Sequence, residues 1–281
     1  MLIKRVGILY HPKVEATCIK AQELTAFLNS RGIKVWLCSA WEIEEAISNL
    51  DSTDLILTTG GDGTILRAAQ VALQHQIPIT GINMGKLGFM TEIKADEAVD
   101  QLPLLLDGKG WIDERAMLEA KLDPVDSKAG SAETYYALND VVIARGAIAK
   151  LIQISTSIND QPLTTYRSDG IILATATGST GYSLSAGGPI LYPQSEDILL
   201  VPVVSHLSMD YSLVLPASSS VKLHLTAVNP ATLSIDGHIN IPVDSVCIIT
   251  VRQSSRKTRF LRLHPQNSFY GMLEEKLRGK R

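Results

Sequence analysis

Short apolar runs alternate with stretches of helical spacing along the first part of the chain. The runs at 6–10, 33–38, 55–59 and 77–82 are rich in Val, Ile and Leu and too short for helices, which predicts strands. Helical patterns lie between them at 14–30, 40–50 and 64–75, and a last one covers 95–106. Leu24, Phe27 and Leu28 share one helix face, and Gly32 behind them supplies a left-handed stop. Ser39 followed by Glu42 predicts a capping box for the second helix. Such alternation builds parallel βαβ units, with helices covering both faces of the sheet.

Past Asp107-Gly108-Lys109-Gly110 the pattern changes to short β runs at 116–122, 135–144, 151–158, 171–174, 221–225, 233–235 and 246–251. Period-two alternation is clearest in Val221-Lys-Leu-His-Leu and Leu151-Ile-Gln-Ile-Ser, with turn chemistry at Asn159-Asp160-Gln161-Pro162 and Asp236-Gly237. Residues 123–133, rich in Ser, Gly and charge, predict an exposed loop. The end of the chain has helical spacing through Phe269, Met272, Leu273 and Leu277 and closes on a basic stretch that reads as solvated. The expected architecture is α/β plus all-β. It places a Rossmann-like α/β domain over 1–108, a β-sandwich-like domain over 109–265 and a helical tail over 266–281.

Composition narrows the function. With 281 residues and 45% apolar content the chain can bury cores for about two domains. The 26 Lys and Arg nearly balance 29 Asp and Glu, so no global positive field favours nucleic acid or an anionic membrane. Cys18, Cys38 and Cys247 are widely spaced without a CxxC pair, which argues against a disulfide framework or a thiolate zinc site and for the cytoplasm. The amino terminus has no signal-like apolar stretch, and no run approaches the ~20 residues of a membrane span. Neither histidine spacing for a metal nor a Ser-His-Asp order is present.

The most informative segment is Leu55-Ile-Leu-Thr-Thr-Gly60-Gly61-Asp62-Gly63-Thr64, an apolar strand that runs through three glycines and one carboxylate into a helix. Glycines let backbone N–H groups approach phosphate oxygens, and the helix adds its positive end. The segment lacks the Lys-Ser/Thr pair of a Walker A loop, and Leu66 occupies the third glycine position of a GxGxxG pattern. A carboxylate beside phosphates is repulsive unless it serves a metal or accepts a proton, both of which phosphoryl transfer uses. A plain strand-to-helix turn with Asp at the helix start is the alternative. Without a Walker lysine, Mg²⁺, backbone dipoles and Arg67 or Lys86 are the candidates to neutralise a triphosphate.

A second glycine-rich stretch, Asp169-Gly170 through Thr175-Ala176-Thr177-Gly178-Ser179-Thr180-Gly181-Tyr182-Ser183 to Gly187-Gly188-Pro189, offers hydroxyl donors and an aromatic face for a base. An exposed hairpin is the competing reading. Asn139-Asp140 sits between apolar stretches, either facing a ligand or at a bulge or edge.

Together, Gly60-Gly-Asp-Gly-Thr64, Gly81-Ile-Asn-Met-Gly-Lys-Leu-Gly-Phe89, Asn139-Asp140 and Thr177-Gly-Ser-Thr-Gly-Tyr182 resemble the bacterial NAD kinases across nearly the whole chain. The resemblance implies transfer of the terminal phosphoryl group of ATP, with Mg²⁺ or another divalent cation, to the 2′-hydroxyl of the adenosine ribose of NAD. By similarity Asp62 is the general base, and Gly60, Gly61, Gly63 and Thr64 shape the phosphate loop. Asn139, Asp140, Thr180 and Tyr182 match NAD-binding positions, Asp169 one that holds the nicotinamide end, and His238 a further ligand-facing position. Arg167 matches a basic residue reaching across a subunit interface, since these enzymes form homodimers or homotetramers. Ala176 and Gly181 depart from the usual Pro and Ala of the second loop. In Ser205-His206-Leu207-Ser208-Met209-Asp210-Tyr211-Ser212, Tyr211 and Ser212 replace a common Arg-Pro pair. The first motif is shared with diacylglycerol and sphingosine kinases, so a lipid kinase is one rival. A non-catalytic NAD-binding regulator is the other.

Overall fold

A computed structural model describes residues 3–85, 88–124, 132–146, 151–204, 211–226, 230–243, 246–266 and 268–278. Lys86, residues 205–210 ahead of Tyr211, most of the 123–133 loop and the last three residues, 279–281, lie outside them. The chain divides into two compact units, residues 1–114 with 257–281, and residues 115–256. This division falls a few residues beyond the glycine-rich break near 108, and it gives the first unit the end of a late strand along with the tail.

The first unit runs β1 (Arg5–Tyr10), α1 (Glu15–Ser30), β2 (Lys34–Ser39), α2 (Ile43–Ser48), β3 (Leu55–Gly60), α3 (Asp62–Ala72), β4 (Ile79–Asn83), β5 (Ile93–Lys94) and α4 (Ala98–Leu106). Its sheet is parallel, with β1 between β2 and β3, and β4 beyond β3. Every residue of β3 and β4 is buried, as a parallel strand covered on both faces requires. Ile8, Leu24, Leu28, Leu57, Ile82, Leu102 and Leu105 form its core. Gly32 takes φ +76° and Arg31 ends α1, as the sequence predicts. The capping box expected from Ser39 and Glu42 does not form. Ser39 Oγ accepts from the Trp41 N–H at 3.2 Å in a tight turn, Glu42 itself occupies the N-cap position, and α2 starts only at Ile43.

The chain continues as β6 (Trp111–Pro124), β7 (Glu133–Ala137), β8 (Asp140–Arg145), β9 (Ile152–Ile158), β10 (Gln161–Ser168), β11 (Gly170–Ala174), a 3₁₀ turn (Gly178–Thr180), α5 (Tyr182–Ser185), β12 (Ile198–Val203), β13 (Leu213–Leu215), β14 (Ser220–Leu225), β15 (Ala231–Ile235), β16 (Ile239–Val243) and β17 (Cys247–Arg262); the second unit begins within β6 at Arg115 and ends within β17 at Arg256, and Asp113, Arg262 and α6 (Ser268–Arg278) belong to the first. One antiparallel sheet orders β10-β9-β14-β17 and the other β13-β12-β11-β8-β15-β16. Ile154, Tyr166, Leu223 and Ile249 from the first share one core with Val141, Ile143, Ile171 and Leu233 from the second, so the unit is a sandwich. The β run expected across 135–144 is broken at Leu138-Asn139, between β7 and β8. The second glycine-rich stretch is not an exposed hairpin, because Gly178, Ser179 and Thr180 are buried in a 3₁₀ turn behind β11. Among the described residues no helix is long and apolar enough to cross a membrane.

Candidate active site

Asp62 opens α3 at the carboxyl end of β3, where open parallel sheets receive their ligands. Gly61 before it is extended (φ −112°, ψ −166°), and no side chain caps the helix; the Thr64 N–H bonds the Gly61 carbonyl at 3.0 Å, ahead of which stand the amides of Asp62 and Gly63. Gly60 permits a close approach, since a Cβ there stands 2.2 Å from Thr64 Oγ1. Nothing lies within 4 Å of the same position on Gly61 or Gly63, which leaves the loop open on that side. Thr64 Oγ1 is buried and has no hydrogen-bond partner among the described residues.

The Asp62 carboxylate is fixed from the loop after β4. Its Oδ2 accepts from the Phe89 N–H at 2.8 Å and its Oδ1 from the Met90 N–H at 3.0 Å. A Cβ on Gly88 stands 2.2 Å from Asp62 Oδ1, so this backbone comes as close as only glycine allows. Arg67 does not point freely from the helix: its guanidinium lies 4.1 Å over the Trp41 ring, which His11 meets edge-on at 4.6 Å. Burial lowers the Arg67 pKa.

In the second unit a cavity of about 430 Å³ opens beside the break between β7 and β8, lined by Asn139, Asp140, Tyr182, Ser234, Asp236 and Asn240 among others. Asp236, at φ +51° in the β15–β16 turn, staples that break. Its carboxylate accepts from the N–H of Leu138 (3.0 Å), Asn139 (2.7 Å) and Asp140 (3.2 Å). Asp140 is buried, and desolvation first, the Asp236 charge second, push its pKa up to about 7. Gly178 lets the 3₁₀ turn pass over the same segment, since a Cβ there stands 2.0 Å from the Asn139 carbonyl oxygen. Asn139 Oδ1 is buried and has no hydrogen-bond partner among the described residues.

The other expected positions fall around this cavity or away from it. Thr180, in the 3₁₀ turn, donates to the Thr177 carbonyl at 3.3 Å, and half-exposed Tyr182 follows directly at the head of α5. His238 closes the turn that begins with Asp236, its Nδ1 3.2 Å from the Asp236 carbonyl oxygen. Asp169 is tied to Arg145, Nε to Oδ1 at 2.7 Å and Nη2 to Oδ2 at 3.3 Å, a fork that holds the carboxylate still. Arg167 is exposed on β10 and does not line the cavity; its Nε and Nη2 meet the Gln153 amide oxygen at 2.9 and 3.2 Å. Tyr211 is exposed as well.

Residues 41–110 match the ATP-NAD kinase N-terminal domain and residues 138–263 the ATP-NAD kinase C-terminal domain. The chain belongs to the ATP-NAD kinase family. It is 50% identical over 278 residues to the NAD kinase of Dehalococcoides mccartyi, covering 99% of this chain and 97% of that protein. The NAD kinase of Chloroflexus aggregans is 39% identical over 277 residues, with 99% of both covered. Among solved structures, yeast NADH kinase complexed with NADH matches with a TM-score of 0.88 at 27% identity, covering 99% of this chain and 88% of that one. An NAD kinase from Archaeoglobus fulgidus in complex with ATP gives 0.79 at 25%, covering 98% and 99%. The α/β and all-β halves read from the sequence are those of this ATP-NAD kinase fold.

Asp236 and Arg145 are among the residues of this family member that its sequence does not mark. Asp236 reads locally as a turn residue, and only its contacts with Leu138, Asn139 and Asp140 reveal its work. Arg145 lies at the end of a strand with nothing nearby in sequence to mark its pairing with Asp169.

Proposed function

We propose that this protein transfers the terminal phosphoryl group of ATP to the 2′-hydroxyl of the adenosine ribose of NAD, giving NADP and ADP. The observation that carries the reading is the fixed Asp62 carboxylate in the glycine turn ahead of α3, in a chain that belongs to the ATP-NAD kinase family. The ribose oxygen attacks the γ-phosphorus, its proton passes to Asp62, and the bond from that phosphorus to the ADP oxygen breaks. Gly60, Gly61, Gly63 and Thr64 cradle the donor phosphates with backbone N–H groups and a hydroxyl. Holding the carboxylate by two N–H bonds removes a reorganisation step from proton transfer.

A divalent cation, Mg²⁺ in the first instance, neutralises phosphate charge when bound. Among the described residues no group of three or more His, Cys, Asp or Glu is placed to hold a metal ion. Asp62, the one carboxylate of the loop, is the residue that would hold such an ion.

On the NAD side, Asn139 and Asp140 present an amide and a carboxyl to the dinucleotide, with the Tyr182 face beside them. Thr180, Asp169 and His238 complete the binding set. Arg167, exposed on β10, serves a neighbouring subunit in a homodimer or homotetramer. The free thiols of Cys18, Cys38 and Cys247 support a cytoplasmic location.

The test is a donor and acceptor panel with purified protein, read by an NADP-specific coupled assay. NADP formation from ATP, Mg²⁺ and NAD is expected. Lipid phosphorylation without NADP, or NAD binding without turnover, overturns the proposal.

A further inference from the structure

The peptide segment that holds Asp62 is itself held by a buried ion cluster. Met90 donates its N–H to Asp62 Oδ1 at 3.0 Å, while its carbonyl accepts from Arg262 Nη1 at 2.6 Å. Arg262 also meets Asp113 Oδ2 through Nε at 3.2 Å and Glu92 Oε2 through Nη1 at 3.1 Å. Its guanidinium lies 4.4 Å over the Phe260 ring. All three charged side chains are nearly inaccessible, at 6% for Arg262, 5% for Glu92 and 2% for Asp113. The second oxygen of Glu92 accepts from the Leu263 and His264 N–H groups, each at 2.7 Å, and meets His264 Nδ1 at 2.8 Å.

A buried ion cluster is weak evidence of stabilisation, because apolar residues of similar volume often hold a core as well or better. What an apolar residue cannot do is donate to the Met90 carbonyl in a fixed direction. The planar guanidinium, braced by two carboxylates and an aromatic ring, can. One residue, Met90, thus turns its N–H toward Asp62 and its carbonyl, in the next peptide, toward the cluster.

We infer that Arg262, held by Glu92 and Asp113, is a positioning residue for phosphoryl transfer: it fixes the Met90–Thr91 peptide and, through Met90, the N–H that aims the Asp62 carboxylate. The inference rests on Asp62 being the proton acceptor. It extends that reading to a buried residue outside the phosphate loop.

The experiment compares full-length wild type, Arg262→Met, Arg262→Lys, Asp62→Asn and the Asp62→Asn/Arg262→Met double variant for kcat, for KM of NAD and ATP, and for thermal midpoint. A displaced catalytic group costs about 10- to 100-fold, so Arg262→Met lowers kcat by that factor with both KM values within about twofold. Arg262→Lys, which keeps the charge but not the fork, is intermediate. In the Asp62→Asn background Arg262→Met has no further effect on the residual rate. A folded Arg262→Met enzyme with wild-type kcat, a loss confined to KM, or a full additional loss on top of Asp62→Asn overturns the inference. Should Arg262→Met not fold, Arg262→Lys decides alone: a lower kcat at unchanged KM supports the positioning role and a wild-type kcat refutes it. Failure of the underlying reading is a separate result, seen as absent turnover in wild type or an undiminished rate in Asp62→Asn.

Discussion

Asp140 ties the chemistry of the cavity to the stability of the fold, and Asp140→Asn tests that tie. Burial and the neighbouring Asp236 raise its carboxyl from the ordinary 3.8 to about 7. A raised carboxyl pKa means that the folded protein favours the protonated form. Its contribution to stability is fully present below about pH 3.8 and is lost as pH rises through 7. Asparagine stays neutral and keeps the shape. At 1.36 kcal/mol per pKa unit, the gap of roughly 3 units corresponds to a ceiling on the order of 4 kcal/mol. The variant is therefore expected to be more stable than wild type at pH 8 by up to about that amount, with the gain disappearing toward pH 4. Urea unfolding across pH 4–9, with the midpoint and slope recorded for both proteins, measures the difference. A gain independent of pH, or a variant less stable than wild type at pH 8, refutes the reasoning.

Two further substitutions probe other supports. Gly178→Ala drives a methyl onto the Asn139 carbonyl oxygen, 2.0 Å away in the present backbone, and should cost roughly 1–3 kcal/mol and weaken NAD binding. Thermal unfolding and calorimetric titration check both, and an unchanged affinity contradicts the role given to this turn. Burial pushes the Glu92 carboxyl up, but the hydrogen bonds from His264 and the Arg262 charge outweigh it and hold the pKa at about 2. That stabilisation is present above pH 4.5 and is lost as pH falls through 2, so Glu92→Gln should be less stable at pH 7 by on the order of 3 kcal/mol, with the deficit shrinking in acid. A deficit that does not change with pH, measured by urea unfolding, counts against it.

What could be read in the sequence was whatever has a local cause. The strands of the first unit are apolar throughout because both faces of a parallel sheet are covered, and that pattern survives without knowledge of the partners. Gly32 and the Asn159-Asp160 turn adopt positive φ where their residue types predict it. β10 was missed because its run is polar except for Leu163 and Tyr166, which pack into the sandwich core. Ser39 and Glu42 had the spacing of a capping box, but the chain spends those residues on a turn before the helix. Within the candidate site, the place of Asp62 at the end of β3 was legible from its glycine neighbours. Its orienting N–H groups on Phe89 and Met90 were not, because the fold alone brings them there. Asp236, Arg145 and Arg262 escape for the same reason, with partners that are remote along the chain.

The central claim is that Asp62 takes the proton of the attacking hydroxyl. Asp62→Asn keeps the size of the side chain and removes the base. Its single-turnover rate of NADP formation, measured with saturating ATP, Mg²⁺ and NAD beside the NAD dissociation constant, tests the claim directly. A rate lower by about 10²–10⁴-fold with NAD affinity within about threefold of wild type is expected. A variant that phosphorylates NAD within tenfold of the wild-type rate contradicts it.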